Sequence, residues 1–341
     1  MEKRVGYRLA KASTNGLNRL VDTLFVLSML LLLLVAIWTF WDARQVYAAA
    51  DPTRFIQYKP DFPEDVETFE DLQAKNPDVK AWLTIYDTKI DYPPVQTDND
   101  DYYMNHDVFG EVQSSGSLFI DYRNDSRFGD FNTLIYGHHM SERKMFGDID
   151  LFLNEEFFNK HEFGNLFDGT QNRGLEIVAI LEVDSHDPVL YYPAIQGEEL
   201  RLKYIDQIYN TAKYIRGISS VERKTITSAG RSSPLTPDDH MLLLSTCSAD
   251  ITNGRFILVC KVLDHAVGNP FPETEETRTG TGIDSYMLYQ KYGTLPFWAW
   301  VGIIILLIIL TFILYRLSRR RDRRVTEKAS RKGDDAYDQE N

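Results

Sequence analysis

Cys247, Arg255 and His138 are the residues of this chain whose types and places could do chemistry. Cys247 closes the apolar run Met241-Leu-Leu-Leu-Ser-Thr-Cys247, and Arg255 opens the run Arg255-Phe-Ile-Leu-Val-Cys-Lys-Val. A fixed positive charge beside a thiol lowers its pKa and offers hydrogen bonds to an oxyanion. His138 ends a third apolar run, Phe131-Asn-Thr-Leu-Ile-Tyr-Gly-His138, and histidine is the side chain suited to trade a proton near neutral pH. Thiolate, acid–base partner and oxyanion charge are together what nucleophilic cysteine chemistry needs. Taken singly, a core cysteine and a surface arginine are ordinary; the case rests on all three standing at strand ends.

Those ends have to be brought together by the elements that carry them. The runs before Cys247 and after Arg255 read as two strands, and Asn253-Gly254 between them is a strong turn signal. An antiparallel hairpin is the simplest connection, and it sets Cys247 beside Arg255. Strand alternation puts Arg255, Ile257 and Val259 on one face and Phe256, Leu258 and Cys260 on the other. The second cysteine therefore points away from the first and reads as a buried apolar filler, not a disulfide partner. Further strands are expected at 81–86, 89–95, 117–122, 132–136, 175–183, 189–192, 240–246 and 255–263. Many short strands with turn signals favour a closed barrel or sandwich. Helices are expected at 64–75, 154–161 and 198–216, the last with Tyr204, Ile205, Ile208, Ala212 and Ile215 as one apolar stripe.

Outside this region the apolar residues gather into two runs, 23–41 and 295–314, each about long enough to cross a bilayer. Lys3, Arg4, Arg8, Lys11 and Arg19 precede the first; Arg316, Arg319, Arg320, Arg321, Arg323 and Arg324 follow the second. Positive charge at both outer flanks predicts a cell-membrane protein with cytoplasmic termini and an extracellular middle. The sequence thus divides into a basic N-terminus (1–22), an uncleaved signal anchor (23–41) and a polar tether (42–63). A folded domain (64–264), a Pro/Gly/Glu/Thr-rich linker (265–294), a second span (295–315) and a cytoplasmic tail (316–341) follow. Residues 42–296 hold 23 Lys+Arg against 42 Asp+Glu, which argues against nucleic acid as a partner. No metal-ligand spacing or phosphate-binding glycine loop is evident, so neither a metal nor a cofactor is expected.

The order His, Cys, Arg, each at a strand end, resembles the sortases. The family's T-L-x-T-C signature is matched by Leu244-Ser-Thr-Cys247. Class B sortases are resembled in Ala81-Trp-Leu-Thr-Ile, Ile90-Asp-Tyr-Pro-Pro-Val-Gln, Gly116-Ser-Leu-Phe-Ile-Asp-Tyr-Arg and Asn132-Thr-Leu-Ile-Tyr-Gly-His-His-Met. The resemblance implies a mainly β fold, a closed eight-stranded barrel with an N-terminal helix and a long helix between late strands, here with two transmembrane helices added. It implies a cysteine transpeptidase that cleaves an LPxTG-like sorting motif of surface proteins, with Cys247 as nucleophile, His138 as acid–base and Arg255 as oxyanion holder. Ser245 and Thr246 would line the motif pocket. The family motif places catalysis on the histidine directly after the glycine, which selects His138 over His139. The acceptor would be an amine of a peptidoglycan precursor or, as the second span suggests by likeness to pilus-type sortases, a pilin lysine. The Asp-Pro-aromatic lid of those enzymes is not matched, because Thr53 follows Asp51-Pro52. Two rivals fit less well. A papain-like hydrolase has Cys before His along the chain, and a tethered adhesin has no need of His, Cys and Arg at three strand ends.

Overall fold

The computed structural model describes residues 2–60, 68–217, 235–247 and 254–271. The second apolar run and the tail lie outside the described residues.

Strand-forming sequence dominates the middle of the chain. Nine strands form one sheet: β1 (Trp82–Ile85), β2 (Asp91–Tyr92), β3 (Phe119–Ile120), β4 (Asn132–Tyr136), β5 (Phe163–Phe167), β6 (Asn172–Asp184), β7 (Ala212–Ile215), β8 (His240–Cys247) and β9 (Gly254–Val262). Eight of them follow one another in the order β2-β1-β5-β6-β9-β8-β4-β3, and β7 pairs with β6 beside that path. Val95, just past β2, bridges to Phe119 of β3; its N–H donates to Leu118 O and its carbonyl accepts from Ile120 N–H, both at 2.9 Å. The two ends of the sheet therefore meet at Val95, and the sheet curls back on itself with few open edges. The expected mainly β fold is present as a curled sheet; the eight strands of its path include β5 in place of the strand expected at 189–192.

Side-chain parity divides the apolar residues between two cores. Leu242, Leu244, Phe256, Leu258 and Cys260 pack inside the curled sheet with Trp82, Leu83, Ile85 and Leu166. Met241, Leu243, Ile257 and Val259 face the other way and pack under α4 (Glu198–Thr211) through Tyr204, Ile205 and Ile208. Cys260 is a free, fully buried thiol whose pKa burial pushes well up, as the alternation required.

Several expectations shift. Residues 189–192 are turns, not a strand, because the Asp187 carboxylate accepts the Val189 and Leu190 N–H groups at 2.9 and 2.8 Å and bends the chain. The expected helix 198–216 stops at Thr211, and Ala212–Ile215 becomes β7. The reason is tertiary: β5 pairs only with the first part of β6, and the remaining edge at Ala179–Leu181 is taken by β7. Strand β5 was not expected, since Gly164 and Asn165 interrupt its apolar pattern. Gly164 is there for room: a Cβ would lie 2.5 Å from Thr84 O on the neighbouring strand. The short helices α2 (Phe69–Lys75) and α3 (Glu155–Lys160) fall within their expected ranges, α2 opening with a Thr68/Asp71 capping box.

The largest difference is at the N-terminus. Helix α1 (Glu2–Ala49) carries one window, Leu20–Phe40, long and apolar enough to cross a membrane, with mean hydropathy 2.7. It does not stop at residue 41, and the next residues are no free tether. Two single 3₁₀ turns, Pro52–Arg54 and Ile56–Tyr58, follow, and Ala50, Phe55 and Tyr58 are buried in the core inside the sheet. At the other end the domain extends past residue 264: Tyr86 donates to Val267 O at 2.6 Å, and Phe271 stacks on His161.

Candidate active site

Three neighbouring strands end together. β4 runs parallel to β8 with Tyr136 opposite Ser245, and Gly137 N–H continues the ladder by donating to Ser245 O at 3.1 Å. The same offset carried on sets His138 level with Cys247. β9 runs antiparallel to β8, with Cys247 opposite Arg255. Cys247 and Arg255 are thus paired across β8 and β9, and His138 stands two residues past the end of β4, toward the same end of the sheet. Tyr136, Ser245 and Ile257 are partners in the row two positions in from Cys247 and Arg255, and residues opposite one another in a sheet share a face.

Gly137 explains how the histidine reaches this place. A Cβ there would meet Leu118 Cδ2 and lie 2.7 Å from Phe146 Cδ2, so only glycine lets the strand leave the core between them. His138 is half-buried, and its Nε2 lies 2.8 Å from the Met104 carbonyl oxygen. A carbonyl only accepts, so Nε2 carries the hydrogen and Nδ1 is the ring nitrogen left to exchange a proton. His139 is held otherwise: its Nε2 stands 2.8 Å from Asp150 Oδ2, with 13% of its side chain exposed. Arg255 is half-buried, and among the described residues its guanidinium donates one hydrogen bond, from Nη1 to Gly254 O at 3.3 Å. Among the described residues the rest of its donor fork has no hydrogen-bond partner.

Ser245 and Thr246 part company. Ser245 is buried, and its Oγ lies 3.0 Å from the Tyr191 hydroxyl; the Tyr191 ring stacks on Tyr136 with centroids 6.4 Å apart. Thr246 is opposite Phe256, on the inward face, and its buried hydroxyl has no hydrogen-bond partner among the described residues. Behind Tyr136 stands a charged brace. Its hydroxyl donates to Asp121 Oδ2 at 3.0 Å, and Arg123 holds both Asp121 oxygens, Nε at 2.8 Å and Nη2 at 2.6 Å. Burial works to raise the Asp121 pKa, yet the Arg123 and Tyr136 hydrogen bonds outweigh it and leave it lowered; burial drives Tyr136 up. Sequence reasoning missed Met104, Tyr191 and Tyr136. A main-chain carbonyl leaves no trace in residue type, and Tyr191 fell inside the stretch read as a strand.

A shallow hollow lined by Asn154, Glu155, Asn159 and Lys160 lies at α3, on elements other than those of the row. Among the described residues no group of His, Cys, Asp and Glu is placed to hold a metal ion.

Comparison with known proteins follows the same lines. Sortase B of Listeria monocytogenes is 32% identical over 224 residues, which cover 65% of this chain and 82% of that protein. The chain belongs to the sortase family, class B. Sortase B of Staphylococcus aureus is 27% identical over 201 residues, covering 57% of this chain and 74% of the relative. The crystal structure of sortase B from B. anthracis in complex with AAEK1 superposes with a TM-score of 0.53 at 26% identity, covering 66% of this chain and all of that one. No family model matches the chain. As a sortase it is a cysteine transpeptidase.

Proposed function

We propose that this class B sortase is membrane-anchored and cleaves an LPxTG-like C-terminal sorting motif of surface proteins. Cys247 attacks the carbonyl carbon of the motif's threonine as a thiolate. Arg255 holds the oxygen on which negative charge develops, in a place where fixed donors need no reorganisation. His138 gives a proton to the departing amine as the C–N bond breaks, leaving an acyl thioester on Cys247. His138 then takes a proton from the incoming amine, which displaces the thiolate and forms the new amide. The acceptor is an amine of a peptidoglycan precursor. Ser245, on the face of the row and backed by Tyr191, lines the motif site; Thr246 supports that site from the inward side of the same strand.

The observation that carries this reading is the register: Cys247 pairs with Arg255, and β4, parallel to β8, continues through Gly137 N–H to Ser245 O toward His138. Burial of Cys260 supports Cys247 as the nucleophile. The exposed apolar stretch Leu20–Phe40, flanked by basic residues, supports an anchor with the domain outside and the N-terminus in the cytoplasm. The run at 295–314 supports a second span and a cytoplasmic C-terminus, and it keeps a pilin lysine open as the alternative acceptor.

The test is incubation of the full chain in detergent with an LPxTG-type peptide, offering in parallel a peptidoglycan-precursor amine and a pilin peptide carrying lysine. A Cys247-linked acyl adduct by mass spectrometry, with transfer to the precursor amine, is expected. Transfer to the lysine alone would make the enzyme a pilin polymerase, and absence of any adduct would overturn the assignment.

A further inference from the structure

The end of α1 is built into the loop that follows His138. After Ala49 the chain turns at Asp51, whose Oδ1 accepts from Thr53 N–H at 2.9 Å and Thr53 Oγ1 at 2.6 Å. Its other oxygen, Oδ2, accepts from Lys144 Nζ, a side chain only 10% exposed. One residue back, Ala50 O accepts from the buried Tyr92 hydroxyl at 2.9 Å, and the same hydroxyl accepts from Met145 N–H at 3.0 Å. Lys144 and Met145 are close to the histidine in structure as well as in sequence. Phe146 N–H donates to His138 O at 3.1 Å, and His139 bridges to Met145.

The same loop is strained. Glu142, Arg143 and Met145 all have left-handed backbones, with φ of 61°, 61° and 52°. Non-glycine residues stay in that region only when their surroundings over-determine them. Part of the surroundings is the Arg143–Asp148 pair, with Nε at 2.5 Å and Nη2 at 2.9 Å, and Asp148 also accepts Lys89 N–H at 2.6 Å. Lys89 Nζ also donates to Glu142 O at 3.3 Å, and the clamp from Ala50 and Asp51 adds to these.

We propose that Asp51 is a positioning residue: through Lys144 it fixes the loop that sets the place of His138, so the junction with the apolar helix is part of what organises the site. This rests on His138 being the acid–base group. A lysine so deeply enclosed needs its carboxylate. With that charge gone, Lys144 moves toward water, Met145 loses its register against Tyr92, and the His138 carbonyl loses its hold on Phe146.

The test uses the full chain in detergent micelles and compares Asp51→Asn, Asp51→Glu and the charge-free pair Asp51→Asn/Lys144→Met with the unaltered enzyme. In Asp51→Asn, kcat should fall roughly ten- to a hundredfold, the scale set by misplacing a catalytic group by about 1 Å. KM should stay put, and the limb of the kcat/KM pH profile that disappears in His138→Ala should move. Asp51→Glu should restore part of kcat. A merely structural role would lower kcat only in step with the folded fraction and leave the pH profile in place, and that result overturns the proposal. If Asp51→Asn does not fold, the charge-free pair decides, since it leaves no buried unpaired lysine: wild-type kcat and pH profile there overturn the proposal. His138→Ala separates the two readings. Undiminished turnover in that variant removes His138 itself, whereas a dead His138→Ala beside a normal Asp51→Asn removes only the clamp.

Discussion

Replacing Arg255 by lysine distinguishes two things a positive charge can do for Cys247. If the charge only lowered the thiol pKa, lysine would serve, because it brings the same charge to the same strand position. If the planar fork holds an oxygen, lysine should fail, since an ammonium is a point charge with other reach and no paired donors. The second is the expectation, since among the described residues the guanidinium makes one long hydrogen bond, to Gly254 O, and the rest of its fork has no hydrogen-bond partner there. The fold should hardly notice: one hydrogen bond is worth about 0.5–1.5 kcal/mol net, and one of 3.3 Å belongs at the low end. The reaction should notice far more. Losing one oxyanion donor costs roughly 2.7–4 kcal/mol, about a hundred- to a thousandfold in rate.

Two measurements on Arg255→Lys are needed side by side: turnover of a fluorescence-quenched sorting-motif peptide, and the rate of Cys247 alkylation by iodoacetamide. Alkylation needs only the thiolate, whereas peptide turnover needs the oxyanion held as well. Near-normal alkylation with turnover down by about two orders of magnitude is expected from the donor loss. Equal losses in both would make Arg255 a residue that sets the thiol pKa. Near-wild-type turnover in Arg255→Lys and Arg255→Ala would take it out of the site.

Cys247→Ala should abolish the acyl adduct. Cys260→Ser, which puts a hydroxyl into the core at a cost of about 1–3 kcal/mol, should lower the unfolding midpoint and leave turnover per folded molecule intact; a folded but inactive Cys260→Ser would refute the face assignment. Gly137→Ala should force Leu118 or Phe146 aside, destabilise by about 1–3 kcal/mol and cut kcat by at least roughly tenfold through displacement of His138. Denaturant unfolding and kinetics check both, and wild-type kcat would contradict the close-approach explanation. Asp121, its pKa lowered in the fold, adds stability that is fully present above the unfolded carboxylate value near 3.8 and is lost as pH falls through the folded value. Asp121→Asn should therefore flatten the acid limb of the stability–pH curve, and an unchanged limb would discount the Arg123–Tyr136 brace.

What could be read from residues alone was whatever period and parity control. The alternation in β9 placed Cys260 opposite in face to Arg255 and so buried it, and the hairpin signal at Asn253-Gly254 set Cys247 beside Arg255. Those inferences need only neighbouring residues. Apart from the Asp187 turn at 189–192, the misses depended on distant ones. Ala212–Ile215 fits the apolar stripe of α4 equally well as helix, and the open edge of β6 makes it a strand. β5 was hidden by Gly164, kept for a contact with Thr84 across the sheet. Residues 42–60 are polar enough to look like a tether, yet Ala50, Phe55 and Tyr58 are spaced to enter a core that only the folded domain provides.

The same two strands build both the core and the row, and this accounts for the position of the candidate residues. Along the middle of β8 and β9, Met241–Leu244 and Phe256–Cys260 are committed: one parity fills the interior of the curled sheet and the other packs under α4. A reactive thiol within either face would meet apolar neighbours that raise its pKa, as Cys260 does. At the end of β8 the pairing with β9 still fixes the backbone. Cys247 opposite Arg255 is the last pair of that ladder, and β4 points His138 toward the same end only because it runs parallel to β8. An antiparallel neighbour would present its entrance there, with its exit at the far end. The parallel pairing, which a local reading of the chain does not dictate, is therefore what turns three separate strand ends into one site.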